Sequence, residues 1–392
     1  MKRLLDSRLL RAAALIAGIL ATSGPATGQT NYVVANDDQS GVVHEGVSFY
    51  TVGTNGELTR KKEVDTEGFG ISGGYFGADR IRTLKSGGQS CVYSSEATTG
   101  DVVGIVVSTL KVGGSAKGSK NDGGTSNGIG LAMNNQYLYA SFTDSNTIGT
   151  FSVQSGCSLT FLNDTSVAGL QGGIINGMAV HGNMLVATYT DGSIESFSIS
   201  SGTPVSNGDE QVSTATVNSQ GAMYPNSVDI TSDGHFAIFG DTSTSVVAEV
   251  SDISSGKLTK TVVYNSKTSI NSGNVMLSAD ETVLYVADTE GDAITALFFD
   301  KTTGALSPGC TSGPIRGISA DWSYLGGLAL ISQSGNGGGV YVAEFGAPSA
   351  IGIVRLKVSG ATCTLQEDPK SPVADPTSPG LLSIGNFPPR SF

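Results

Sequence analysis

The 392-residue chain carries 22 basic against 34 acidic residues, a net charge of -12, and only 14% of its residues are charged. A hydrophobic content of 39% excludes a disordered acidic chain, and the excess of acid excludes nucleic acid as a partner, because phosphates would be repelled. The 54 glycines follow no three-residue period, which excludes collagen and disfavours a helical bundle in favour of a strand-rich globular fold.

Residues 1–28 read as a secretory signal. Lys2, Arg3, Arg8 and Arg11 precede an apolar run from Ala12 to Ala21, followed by small residues up to Gly28. Ten apolar residues are about half of the ~20 that a bilayer crossing needs, and no later stretch is longer, so no membrane span is expected. The expectation is a secreted or periplasmic protein whose residues 29–392 form one domain. Cys91, Cys157, Cys310 and Cys363 are then either two disulfides, with three connectivities open, or four small buried side chains. Asn163-Asp164-Thr165 is an N-glycosylation sequon, which matters only in a eukaryotic host.

Along the rest of the chain one unit recurs: a short apolar strand, a tight turn, and a stronger strand ending on a polar residue. Its clearest copy runs from Asn274 through Ser278-Ala279-Asp280 to Tyr285-Val286-Ala287-Asp288, then into Ile294–Phe299 and Thr303-Gly304-Ala305-Leu306. That is four antiparallel strands in about 45 residues, the length of a propeller blade. Copies of the second strand end at Asn36, Glu96, Phe142, Tyr189, Asp241, Asp288 and Glu344, about 50 residues apart. The fold predicted is an all-β, seven-bladed propeller of four-stranded antiparallel blades. Its first blade starts at a second-type strand, Tyr32, so the C-terminal Leu381-Leu382-Ser383-Ile384-Gly385 is expected to supply the missing inner strand and close the ring. The segment Val112–Asn127 reads as an inserted loop, rich in Gly, Ser, Lys and Asn.

Starts of inner strands and ends of second strands share one face, so repeat-equivalent residues should ring a mouth. The candidate ligand-binding residues are Asn36, Glu96, Tyr189, Asn226, Asp241, Asn274, Asp288 and Glu344, with Phe142, Asn127 and Asn176 at the remaining copies. Carboxylates gathered there repel one another, which a divalent cation such as calcium, an amine or a polyol would relieve. The same residues also suit solvated strand ends that satisfy loop amides. No motif calls for an organic cofactor. His181 and His235 fall in turns of the opposite face, leaving His44 as the histidine near the mouth; Asn36–Gly41 is a weak calcium-loop match. Gly70-Ile71-Ser72-Gly73-Gly74 and Gly68–Gly73 match a serine-nucleophile and a dinucleotide pattern, but both need a following helix and are rejected as composition.

The repeats, with Ser232-Asp233-Gly234, Tyr285-Val286-Ala287-Asp288 and Thr303-Gly304-Ala305-Leu306, resemble the seven-bladed β-propeller lactonase family. That family includes bacterial 6-phosphogluconolactonase-like and muconate-cyclising enzymes. The resemblance implies arginine and histidine at inner-strand starts, in Pro-Arg-His or Pro-His, and Asn-Arg-Gly after a second strand. Here those positions hold Ser272-Gly273-Asn274, Pro225-Asn226 and Asp288-Thr289-Glu290. Asparagine can orient a ligand but cannot exchange protons near neutral pH. The sequence therefore points first to an exported, monomeric, non-catalytic module that binds a small polar ligand, glycan or protein at the mouth. The alternative is a lactone hydrolase or isomerase working through carboxylates, with metal assistance.

Overall fold

The computed structural model describes residues 30–37, 45–70, 79–119, 122–124, 129–212, 225–241, 246–265, 272–288, 292–316, 324–331, 338–345, 349–360, 362–375 and 380–390. Within Asn31–Phe392, seven antiparallel sheets follow one another in chain order. Apart from a single 3-10 turn, Ser155–Cys157, the described secondary structure is β. From inner to outer strand, blade 2 is Ile81–Ser86, Gln89–Glu96, Asp101–Val106 and Lys111–Lys117. Blades 3 to 7 repeat this order, starting at Ile129, Ile175, Pro225, Ser272 and Tyr324. Lys111–Lys117 pairs antiparallel with Asp101–Val106, with one bulge at Gly104–Ile105, so the first part of the anticipated insert is the outer strand of blade 2. Its polar, glycine-rich composition fits an edge that faces water on one side.

Blade 1 is assembled from both ends of the domain. Tyr32–Asp37 pairs with Gly46–Val52 on one side and with Leu381–Phe387 on the other, so the C-terminal segment is its inner strand. Asn386 fastens this strand to blade 7: its Nδ2 donates to the Leu330 carbonyl at 2.7 Å, and the Leu330 amide donates to its Oδ1 at 2.6 Å. The inner strands contact one another in a closed cycle. At the end of the ring where the inner strands finish, Arg390 donates to Asp229 of blade 5 (3.0 Å), and to the Leu277 carbonyl (3.1 Å) and Glu281 (2.8 Å) of blade 6.

The alternation of each second strand explains the core. Seven apolar clusters fill the seven seams between neighbouring blades. Successive side chains of a strand point to opposite faces, so each strand feeds two seams. Tyr341 and Ala343 meet Val33 and Ala35 across the seam of blades 7 and 1, whereas Val340 and Val342 meet Tyr285 and Ala287 across that of blades 6 and 7. Buried tyrosines tie the same seams through their hydroxyls: Tyr139 donates to the Gly202 carbonyl at 2.9 Å and Tyr341 to that of Gly56 at 2.8 Å.

All four cysteines are paired. Cys91 of blade 2 joins Cys157 of blade 3, and Cys310 joins Cys363 across the outer strands of blades 6 and 7. The bridges close loops of 66 and 53 residues, so chain entropy gives each up to about 4 kcal/mol. Replacing Cys310 and Cys363 by serine should lower the melting temperature by several degrees with the native circular dichroism retained at low temperature. An unchanged melting curve would show that the bridge adds no stability.

Candidate functional site

The ends of the second strands and the starts of the inner strands do share one face, but their side chains turn into the seams rather than into water. Asn36, Glu96, Tyr189, Asn274, Asp288 and Glu344 are all buried, as are Asn176 and Phe142. Asp241 pairs with Pro225 at the same end and Asn226 is the bulge residue beside that pair; the Asp241 and Asn226 side chains lie outside the described residues. Asn127, His44 and the loop beyond Asp37 also lie outside them. His181 and His235 stand at the opposite face as expected, His181 ending an inner strand and His235 Nε2 lying 3.5 Å from Asp252. Among the described residues no three His, Cys, Asp or Glu side chains form a metal-binding group.

Seam membership corrects the ring at one copy. Ser94 in blade 2 and Val342 in blade 7 precede their terminal acids by two residues; the acids face the preceding blade, in Val342's case across the blade 6–7 cluster. In blade 1 the residue facing the preceding blade is Ala35, not Val34, so the equivalent of Glu96 and Glu344 is Asp37. Asn36 points the other way, into the seam with blade 2. Its Nδ2 donates to Glu45 Oε1 at 2.7 Å and to Ser94 Oγ at 2.9 Å. The sequence slipped by one residue because Tyr-Val-Val-Ala-Asn carries apolar residues on both faces, and a one-residue slip reverses every side chain.

The acids of the ring differ in environment. Glu96 lies over Gly68, where an added Cβ would come within 2.6 Å of its Oε2. The Tyr189 hydroxyl donates to Glu195 Oε2 at 2.9 Å; burial, reinforced by the Glu195 charge, pushes its ionisation upward. Burial also pushes the Glu344 carboxyl up to about 8, with the charges of Glu367 and Asp292 adding to it.

The ionic feature that the repeat reading passed over is at the start of blade 2, in Asp79-Arg80-Ile81-Arg82. Arg80 stands opposite Ser95, in the inner-strand register that Asn274 occupies opposite Ala287 in blade 6. It is wholly buried, and its amide donates to Ser383 Oγ of the C-terminal strand at 3.0 Å. Arg82, two residues on and on the same side of the strand, donates from Nη1 to Asp79 Oδ2 at 2.6 Å and from Nη2 to the Met178 carbonyl at 3.3 Å. Met178 belongs to the inner strand of blade 4, so the guanidinium passes blade 3 inside the ring of inner strands. The Asp79 and Arg82 side chains keep 27% and 24% of their surface exposed. They thus form a solvent-reachable carboxylate–guanidinium pair. The signal available in the sequence was the position of two arginines just ahead of and within a strand that ends nine residues before Ser95, in a chain poor in basic residues.

Residues 92–376 match the family "Lactonase, 7-bladed beta-propeller". The chain belongs to this family. No curated protein matches it. Among solved structures, it is similar to a proposed 6-phosphogluconolactonase of Bacteroides fragilis at 17% identity, over 93% of this chain and 99% of that one, with a TM-score of 0.67. A functionally unknown protein of Desulfotomaculum acetoxidans gives 13% identity, 91% and 99% coverage and a TM-score of 0.65. The periplasmic gluconolactonase of Pseudomonas aeruginosa gives 12%, 91%, 99% and 0.64. At such identities these structures share the propeller fold. In this member of the lactonase family, blades 5 and 6 carry asparagine at their inner-strand starts, and the arginines stand in blade 2.

Proposed function

We propose that this lactonase-family propeller hydrolyses small neutral sugar lactones at the Asp79–Arg82 pair. The observation that carries the proposal is that pair itself: a guanidinium and a carboxylate 2.6 Å apart, both reachable by solvent, at the start of an inner strand. Hydrolysis forms a bond between a water oxygen and the carbonyl carbon and breaks the ring carbon–oxygen bond. The negative charge that builds on the carbonyl oxygen is stabilised by Arg82. Asp79 accepts a proton from the attacking water and returns it to the ring oxygen as that oxygen leaves, giving the open hydroxy acid. The gluconolactone chemistry in the names of two similar structures sets the compounds to try first. The net charge of -12 disfavours phosphorylated lactones, which the protein's field repels.

The signal-like segment at residues 1–28 and two disulfides between blades favour export to an oxidising compartment. Among the described residues no helix is long and apolar enough to cross a membrane. The test is a pH-stat assay of the purified protein on neutral and phosphorylated aldonolactones, with and without calcium. Turnover of the neutral compounds above the spontaneous rate is expected. Absence of turnover, together with calorimetric binding of an unhydrolysed sugar, would establish the non-catalytic module instead, a reading favoured by Asn176 and Asn274 at the inner-strand starts of blades 4 and 6.

A further inference from the structure

The seam between blades 6 and 7 contains an acid that nothing among the described residues neutralises. Glu344, next to last in the second strand of blade 7 (Gly339–Phe345), is 3% exposed, and among the described residues neither of its carboxyl oxygens has a hydrogen-bond partner. The space around it is filled by chain. A Cβ added at Gly352 would come within 2.5 Å of Glu344 Oε1, and also meets Val342 Cγ1 at 2.8 Å and Ile315 Cγ2 of blade 6 at 3.3 Å. The carboxyl therefore lies on a bare glycine backbone between two aliphatic side chains, where an ionised group loses its hydration and gains no donor.

The charged groups that face it add to the difficulty. Glu367, from the outer strand of blade 7, and Asp292, from blade 6, both bear on Glu344 with negative charge, and Asp288 stands behind Asp292. The nearby cation, Arg316, is already engaged: its Nε donates to Glu367 Oε2 at 3.0 Å and its Nη2 to the Asp368 carbonyl at 2.7 Å. Glu367 Oε1 is itself buried without a partner.

We propose that Glu344 is a proton-operated latch of the propeller: while its carboxyl is protonated the blade 6–7 seam stays closed, and ionisation loosens it. The geometry supplies the two states. A neutral carboxyl fits the aliphatic pocket over Gly352, whereas a carboxylate there must draw in water or swing out past Ile315, which parts the blades. Burial places the transition at about 8, against 4.5 for the free group. The folded form thus holds a proton that the unfolded chain releases. Stability from this group is complete below the unfolded value and is lost as pH rises through the folded one. An exported protein meets the pH of its surroundings, so the latch would set a pH ceiling on the closed ring.

The test follows thermal unfolding of the full protein and of E344Q from about pH 5 to about pH 9. The wild-type melting temperature should fall relative to that of E344Q across this range, with the folding constant dropping up to about tenfold per pH unit in the middle of it. At the upper end E344Q should be the more stable protein. Parallel curves would overturn the proposal. Infrared spectroscopy of the wild type supplies a readout that does not depend on the variant folding: a protonated-carboxyl stretch should persist near neutral pH and disappear at the alkaline end. Its absence at neutral pH overturns the latch. If millimolar calcium restores wild-type stability at high pH but leaves E344Q unaffected, the pocket is a cation site, and the latch is again overturned.

Discussion

Deleting residues 381–392 should abolish the stable fold or lower its melting temperature by at least ~10 °C, the largest stability effect expected of any short deletion. The segment is the inner strand of blade 1, so its loss leaves Tyr32–Asp37 as an unpaired edge facing the axis. It also removes Ile384 from the blade 7–1 cluster and Phe387 from the blade 1–2 cluster. Burying two such side chains contributes about 3–6 kcal/mol, and the paired Asn386–Leu330 hydrogen bonds about 1 kcal/mol each. Total stabilities of ~5–15 kcal/mol leave little after that loss. The seven seams form one cycle, so opening one of them exposes two apolar faces and gives an edge that can pair with another chain. Adding the twelve-residue segment back as a peptide should restore part of the melting temperature. If the truncated protein instead melted like the intact one, the C-terminal strand would not be what holds the ring closed. Arg390→Ala separates the two parts of the segment: it removes the ties to Asp229, the Leu277 carbonyl and Glu281 while leaving the inner strand paired, and should cost far less than the deletion.

The architecture was legible in the sequence for a physical reason: blades are repeats, so one well-formed copy, Asn274–Leu306, calibrates the others. Ring closure followed from counting, since a first blade starting at Tyr32 is one strand short. Side-chain direction was harder to read. Each second strand is buried on both faces, so Val33-Val34-Ala35 gives no alternation from which to judge whether Asn36 or Asp37 faces the previous blade. The same double burial explains why acids expected around a solvated mouth lie inside seams. The Asp79–Arg82 pair was missed because the family pattern directed attention to blades 5 and 6. An ion pair three residues apart leaves no repeat signature, and only the passage of Arg82 to the blade 4 carbonyl shows that it faces the interior of the ring.

Replacing Arg82 by methionine should reduce kcat on a neutral lactone by about 10²–10³-fold, the usual cost of losing one donor to a developing oxyanion. The reason lies in where the charge appears. The lactone carbonyl is neutral in the ground state and carries nearly a full negative charge once water has added, so a guanidinium beside it favours the transition state over the bound substrate. KM should therefore change much less than kcat. Lysine at position 82 keeps the charge but gathers its donors on one nitrogen in place of a planar fork, so it cannot span Asp79 and the Met178 carbonyl with the same geometry; partial recovery of kcat is expected. Asp79→Asn removes the proton acceptor and leaves Arg82 in place. It should depress kcat with KM little changed and the melting curve retained, an outcome that loss of packing alone would not produce. Melting curves of the three variants control for folding, because both side chains are partly exposed and an ion pair in such a position contributes ~1 kcal/mol or less. A raised KM with kcat unchanged in both Arg82→Met and Arg82→Lys would instead make Arg82 a substrate-binding group with no part in stabilising the oxyanion. Unchanged kinetics in all three would place the chemistry elsewhere on the ring.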